Sequence, residues 1–299
     1  MVNAALSCKF TLALVQMSMD EDVETNINHA IGWCEKAVRQ GAQVICLPEL
    51  FSSRYFCQRE DTSRFRYAEP VHGPLTARFA RFSKENAVVI IVPFFERRGP
   101  GVYHNSALVI DADGAPLGLY RKMHIPDDPA YYEKFYFAPG DLGFRTFKTQ
   151  YGSIAPLICW DQWYPEAARL AVLHGAELLL YPTAIGWHPQ EKDPFGAAQT
   201  DAWRTVQRGH AIASGVYVGA ANRVGYEPEE CQAGIEFWGN SFICDPQGVI
   251  LAQAGQDEEE LLLAEIDPGH IETIRQHWPF LRDRRVDAYE GLQHRFLDV

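Results

Sequence analysis

Apolar and polar positions change their period at regular intervals along the chain. Residues 10–17 alternate and are rich in β-formers, which predicts a strand, and the acidic patch at 20–24 opens a helical pattern that runs to about Gln40. Gly41 closes that helix. Residues 44–47 form the continuous apolar run that a buried parallel strand needs, ended by Pro48 and Glu49. A second helix is predicted over 74–86 and a strand over 88–94. Residues 104–111 and 116–120 read as a hairpin, because Asp111, Asp113 and Gly114 between them carry turn chemistry.

A similar order returns in the second half. A short apolar strand at 154–158 is followed by a helix over 166–174, with Pro165 near its first turn and Gly175 as its cap, and by a buried strand at 177–181. A long amphipathic helix at 197–214, a strand at 216–222, a hairpin of 241–244 with 249–252 across D-P-Q-G, and a last strand at 261–266 complete the pattern. No letter-by-letter repeat accompanies the shared order. It predicts an α/β protein built as a four-layer α-β-β-α sandwich, two packed sheets with helices outside. Residues 1–299 read as a single domain without a linker. Residues 275–299, containing W-P-F-L-R-D-R-R, read as a tail that docks on its own body or on a second subunit, so a homodimer or higher homo-oligomer is expected.

Composition narrows the class. With 47% hydrophobic and 22% charged residues the chain can bury a large core, which excludes a disordered protein. A net charge of -12 offers no basic surface to a phosphate backbone or an anionic lipid, so neither nucleic acid nor a membrane is an expected partner. The carboxylates either keep the surface soluble or attract a cationic small molecule. The cysteines, at 8, 34, 46, 57, 159, 231 and 244, are odd in number, with neither paired spacing nor a secretory leader. They read as reduced thiols, and the expected compartment is the cytoplasm. No metal motif such as C-x-x-C or H-E-x-x-H occurs.

Candidate chemistry concentrates in G-S-I-A-P-L-I-C-W-D-Q-W-Y-P-E-A-A-R, residues 152–169. Cys159 falls where the apolar strand gives way to the helix, an elbow that exposes a side chain near a helix N-terminus, whose partial positive charge favours a thiolate. A buried, inert thiol is the alternative reading. Glu49 ends a buried strand, at the sheet edge where open α/β proteins place ligands, or else it is solvated or caps a helix. Lys122 at a strand end reads by itself as a surface charge. Glu133 sits in a long aromatic loop, 126–141, among Tyr131, Tyr132, Phe135, Tyr136 and Phe137; a carboxylate so poorly hydrated requires a partner.

Three segments, L-P-E-L at 47–50, Y-R-K-M-H-I-P at 120–126 and I-C-W-D-Q-W-Y-P-E at 158–166, together resemble the nitrilase (carbon-nitrogen hydrolase) superfamily, and the resemblance runs over about residues 8–290. F-C-Q at 56–58, residues 125–141, C-W-D-Q-W at 159–163 and Y-P-T-A-I-G at 181–186 are similar to its N-carbamoylputrescine amidohydrolase branch. The resemblance implies Cys159 as nucleophile, Glu49 as general base and acid, Lys122 as the cation holding the oxyanion, and Glu133 as a second glutamate that orients Lys122 and the leaving group. It implies a small linear N-carbamoyl amine as substrate and no metal or organic cofactor. Trp160, Tyr55, Tyr132, Asp161, Thr183 and His188 are the substrate-binding candidates that go with it. The chain departs from that branch at Trp187 and His188, where Ser-Glu is expected, and Asp127, Asp128 and Glu191 are the carboxylates available to replace that glutamate. β-Ureidopropionase, ω-amidase or nitrilase activity, a non-catalytic scaffold, and a papain-like enzyme using His124 or His210 are the competing readings.

Overall fold

The computed structural model describes residues 8–230 and 233–297. Cys231 and the last two residues of the tail lie outside them. The first half runs β1 (Phe10–Gln16), α1 (Val23–Arg39), β2 (Val44–Cys46), α2 (Pro74–Asn86), β3 (Val89–Gly99), β4 (Val102–Ile110) and β5 (Pro116–Arg121). The second runs α3 (Glu133–Tyr136), β6 (Phe147–Lys148), β7 (Ser153–Pro156), α4 (Pro165–Leu173), β8 (Leu178–Pro182), β9 (Gly186–Trp187) and α5 (Lys192–Ser214). It continues through β10 (Tyr217–Ala221), β11 (Val224–Glu227), β12 (Ile235–Trp238), β13 (Phe242–Cys244), β14 (Ile250–Gln253), β15 (Glu260–Ile266) and α6 (Pro268–His277).

Two six-stranded sheets carry the fold, in the orders β15-β1-β2-β3-β4-β5 and β14-β13-β10-β8-β7-β6. Alternation along β1 shows how the layers form. Leu12 and Leu14 join Val44, Cys46, Leu178, Leu180 and Val218 in the core between the sheets, whereas Ala13 and Val15 join Ile27, Ala30 and Cys34 of α1 and Phe79 of α2 on the outer face. Gly219 lets the sheets close, since a Cβ there would meet Leu12, Leu14 and Leu180. On the far side, Ala167, Ala168 and Ala171 of α4 and Trp203 and Ala211 of α5 bury against the second sheet. The order of layers is therefore α-β-β-α, as the sequence pattern implies.

Local signals explain the main boundaries. Asp22 caps α1 by accepting from the Thr25 N–H at 2.8 Å, and Pro74 occupies the first turn of α2. Strand β3 outruns its expected end at residue 94, because β4 pairs with it as far as Gly99 opposite Val102. Helix α5 starts five residues before the expected 197. The small sheet β11-β12-β9 had no counterpart in the sequence reading. After α6 the chain lies along α4 and α5, where Arg284, Tyr289 and Leu292 share a cleft with Arg169 and Ala213. Among the described residues no helix is long and apolar enough to cross a membrane.

Candidate active site

Three segments far apart in the chain deliver charged side chains to one buried point. Glu49 lies three residues beyond β2, Lys122 directly follows β5, and Glu133 opens α3. Lys122 Nζ donates to Glu49 Oε1 at 2.9 Å and to Glu133 Oε2 at 2.7 Å, and none of the three side chains is more than 1% exposed. Asn105 Nδ2 donates to the same Glu49 Oε1 at 2.6 Å, while Tyr55 OH donates to Glu133 Oε1 at 2.7 Å. Both oxygens of Glu133 are thus engaged. Among the described residues, Glu49 Oε2 is buried without a hydrogen-bond partner.

Burial and charge act against each other on these groups. Burial by itself would lower the Lys122 pKa, but the anions of Glu133 and Glu49 more than offset that and raise the amine well above its ordinary value. Burial pushes Glu133 up to about 7, opposed by Lys122 and reinforced by Glu49. The Cys159 thiol is also pushed well up, by burial and then by Glu49, with Lys122 pulling the other way. Burial and Glu49 thus favour the protonated thiol and work against the thiolate that the elbow favours. Cys159 opens the short 3-10 helix Cys159–Trp163, and the longer α4 begins only at Pro165.

The turn holds Cys159 at φ +43°, in the left-handed region, which costs a non-glycine residue about 1–2 kcal/mol. Asp161 secures that conformation. Its Oδ2 accepts from the Ile158 N–H at 3.0 Å and from Tyr120 OH at 2.7 Å, and its Oδ1 accepts from the His124 N–H at 3.0 Å and lies 2.7 Å from His124 Nδ1. Cys159 Sγ lies 3.9 Å from the Ala184 carbonyl oxygen. A cavity of about 570 Å³ opens beside it, walled by Tyr131, Trp160, Trp163, Ile185 and Trp238, with Glu133 also on its surface. Asp128, His188, Gln190, Glu191 and Gln199 supply its polar lining.

The substrate-binding candidates separate accordingly. Trp160 and His188 line the cavity, and Tyr55 lies beneath it on Glu133. Tyr132, Asp161 and Thr183 do not line it. The Tyr132 N–H donates to Cys57 O, Asp161 is saturated by the elbow, and the Thr183 hydroxyl is taken by Gln162 Oε1 at 3.1 Å and Tyr181 O at 3.0 Å. Of the carboxylates offered in place of the expected glutamate, Asp128 and Glu191 reach the cavity and Asp127 does not. Trp187 is core, its ring tilted against that of Trp238 with centroids 5.4 Å apart.

The papain-like pairing does not form. The His124 ring lies flat on Tyr164 at 3.7 Å with Nδ1 against Asp161, His210 Nε2 lies 2.9 Å from Gln162 O, and neither histidine lines the cavity. Sequence reasoning missed Asn105 and the cavity position of Tyr131. A buried amide inside the apolar strand β4 was the signal for the first. For Tyr131 the signal was absent, because neighbouring tyrosines in a loop have no period. Its hydroxyl bridges the Gly186 N–H and C=O at 3.0 and 3.2 Å, which ties the aromatic loop to the 186 segment. Among the described residues no cluster of His, Cys, Asp and Glu is arranged to hold a metal ion.

The fold and this buried lysine-carboxylate group beside a strained cysteine define a hydrolase class, and the chain belongs to the carbon-nitrogen hydrolase family, whose model matches residues 11–276. More particularly, it is 47% identical over 286 residues to an N-carbamoylputrescine amidase of Solanum tuberosum, covering 94% of each chain. It is also similar to a citrullinase of Francisella tularensis, 37% identical over 95% of this chain and 98% of that protein. The crystal structure of a carbon-nitrogen hydrolase from Helicobacter pylori superposes with a TM-score of 0.93 at 44% identity, covering 97% of this chain and all of that one.

Proposed function

We propose that this protein is a cysteine-dependent amidohydrolase that cleaves N-carbamoylputrescine to putrescine, carbon dioxide and ammonia. The observation that carries the reading is Glu49 Oε2, a buried carboxylate oxygen left without a partner while Oε1 takes both Lys122 and Asn105. An unmatched buried acceptor is costly in a purely structural ion pair and is what a general base requires. Cys159, a thiol at rest, gives its proton to Glu49 as the sulfur attacks the carbamoyl carbon. Lys122 Nζ and the Trp160 backbone N–H meet the oxyanion. Collapse returns the proton to the departing nitrogen and frees the amine, leaving a carbamoyl thioester on Cys159. Water deprotonated by Glu49 then releases carbamate, which decomposes to carbon dioxide and ammonia. Glu133 orients Lys122.

The cavity supports a cationic substrate. Tryptophan and tyrosine faces with Asp128 and Glu191 suit an alkylammonium and repel a carboxylate tail. Ammonia release from N-carbamoylputrescine, N-carbamoyl-β-alanine and citrulline, measured side by side, tests this: the first should dominate. Equal inactivity on all three would remove the carbamoyl assignment, and a preference for citrulline would favour the activity of the Francisella relative.

The working unit is proposed to be a single domain that assembles at least as a homodimer in the cytoplasm. Leu170 and Leu173 on α4 and Leu292 and Phe296 in the tail expose apolar surface, Phe296 at 81%, that a second copy would cover. Monomeric sedimentation at micromolar concentration would contradict the assembly. Cys8, Cys34, Cys46, Cys57, Cys159 and Cys244 are free thiols, which agrees with a reducing compartment.

A further inference from the structure

A second buried ion pair closes a ring with the candidate catalytic group. Arg223, two residues beyond β10, is fully buried, and its guanidinium is shared among three acceptors. Nη2 donates to Glu49 O at 2.8 Å and to Leu50 O at 2.7 Å, Nε donates to Glu49 O at 3.2 Å, and Nη1 pairs with Glu227 Oε1 at 2.8 Å. Glu227 Oε2 accepts from the Tyr55 N–H at 2.5 Å, and the hydroxyl of that tyrosine donates to Glu133. The circuit Glu49, Lys122, Glu133, Tyr55, Glu227, Arg223 therefore returns to Glu49. Both ends of the Arg223–Glu227 pair grip the machinery from behind.

What the grip holds is strained. Leu50, the residue after Glu49, has φ +50°, a left-handed conformation that costs a leucine about 1–2 kcal/mol and relaxes unless its surroundings prevent it. The Glu49 and Leu50 carbonyls are the groups that Arg223 pins. The pair also spans the fold, because Glu49 follows a strand of one sheet and Arg223 a strand of the other. An ion pair whose only task was stability would gain nothing from holding a strained backbone next to a carboxylate.

We infer that Arg223 and Glu227 are positioning residues that set the Glu49 carboxylate against Cys159 and, through Tyr55, hold Glu133 on Lys122. The inference rests on the reading of Glu49 as the base. A displacement of about 1 Å at such a group costs on the order of 100-fold in rate. Arg223→Lys, which spans only one of the two carbonyls, should lower kcat roughly 30- to 100-fold with KM within about threefold. Glu227→Gln, which supplies one acceptor where two are needed, should lower kcat roughly tenfold.

The experiment measures kcat and KM on N-carbamoylputrescine, together with the pH dependence of Cys159 alkylation by iodoacetamide, for both variants and for Glu49→Gln. Rates are measured at a temperature below each Tm and referred to active sites counted as the alkylated fraction of the Cys159 peptide by mass spectrometry, because Cys8 is also an exposed free thiol. Positioning predicts a selective fall in kcat and a displaced alkylation profile in Arg223→Lys and Glu227→Gln. A merely structural pair would lower Tm and leave kcat per site and the profile at wild-type values, which overturns the inference. Should Glu49→Gln retain wild-type kcat, the base assignment itself is wrong; inactive Glu49→Gln with unimpaired Arg223→Lys and Glu227→Gln refutes the clamp alone.

Discussion

Arg121 and Lys122 are neighbours in sequence at the end of one strand, and each is buried against carboxylates, yet the two pairs are built on opposite principles. Arg121 meets Glu96 through two parallel bonds, Nε to Oε2 at 2.8 Å and Nη2 to Oε1 at 2.5 Å, while Ser106 OH donates to Oε2 at 2.6 Å and Asp141 Oδ1 accepts from Nη1 at 2.7 Å. Every oxygen of Glu96 is matched. Burial would raise that carboxyl, but the bonds from Arg121 and Ser106 overcome it and hold Glu96 below its ordinary value. On the opposite face of the strand Lys122 serves two glutamates, one of them pushed up to about 7 and the other with a free oxygen. A saturated pair has nothing left to give a substrate. The unsaturated one keeps an acceptor and a proton inventory in play, and that difference separates a structural charge from a chemical one.

Substitutions sharpen the contrast. Cys159→Ala should abolish turnover, by about 10⁴-fold or more, with little change in Tm. Lys122→Gln should cost about 10³-fold in kcat, since it removes the positive charge that meets the oxyanion. Arg121→Met inverts the pattern. It leaves Glu96 buried and unpaired, a loss of roughly 3–5 kcal/mol that should lower Tm by roughly 10 °C, while kcat below that temperature stays within about threefold of wild type. If Arg121→Met instead silenced the folded enzyme, the distinction between the pairs would fail.

Smaller effects probe the edges of the site. Glu191→Gln should raise KM for N-carbamoylputrescine about tenfold and leave kcat nearly intact, as expected for a charge that meets the substrate tail and not the reacting atoms. Tyr55→Phe acts on proton affinity. The Tyr55 hydroxyl favours the charged form of Glu133, so its removal should raise the pKa from about 7 and carry the acid limb of the kcat/KM profile to higher pH.

The same shift has a stability consequence of defined sign. Glu133 is raised above its ordinary 4.5 in the folded chain, so folded protein binds more protons than unfolded protein between 4.5 and about 7. The contribution is complete below 4.5 and is lost as pH rises through about 7. Glu133→Gln should flatten the pH dependence of Tm across that window.

Much of the molecule was legible because its signals are local. The periods of residues 10–17, 44–47 and 216–222 mark strands wherever they fold, and turn residues such as Gly114 and the Asp245–Gly248 corner close hairpins through their own dihedral preferences. Cys159 stood out for the same reason, as a thiol between an apolar strand and a polar, aromatic turn. The three-stranded sheet was illegible because β9, β11 and β12 are two to four residues long, too short for a period to declare itself. Asp161 and Thr183 were offered as substrate contacts with the resemblance, whose motifs contain them. Chain adjacency does not tell whether a side chain is already saturated by its own fold.

The amino-acid order alone determined the alternation of strands and helices, the four layers that follow from it, and the residue types able to carry out acyl transfer. Only the tertiary structure decided that residues 49, 122 and 133 meet, that Glu49 has one oxygen unpartnered among the described residues, and that burial and Glu49 push the Cys159 thiol upward. Periodicity belongs to neighbouring residues, but desolvation and pairing depend on every atom within a few ångströms, whatever its place in the chain.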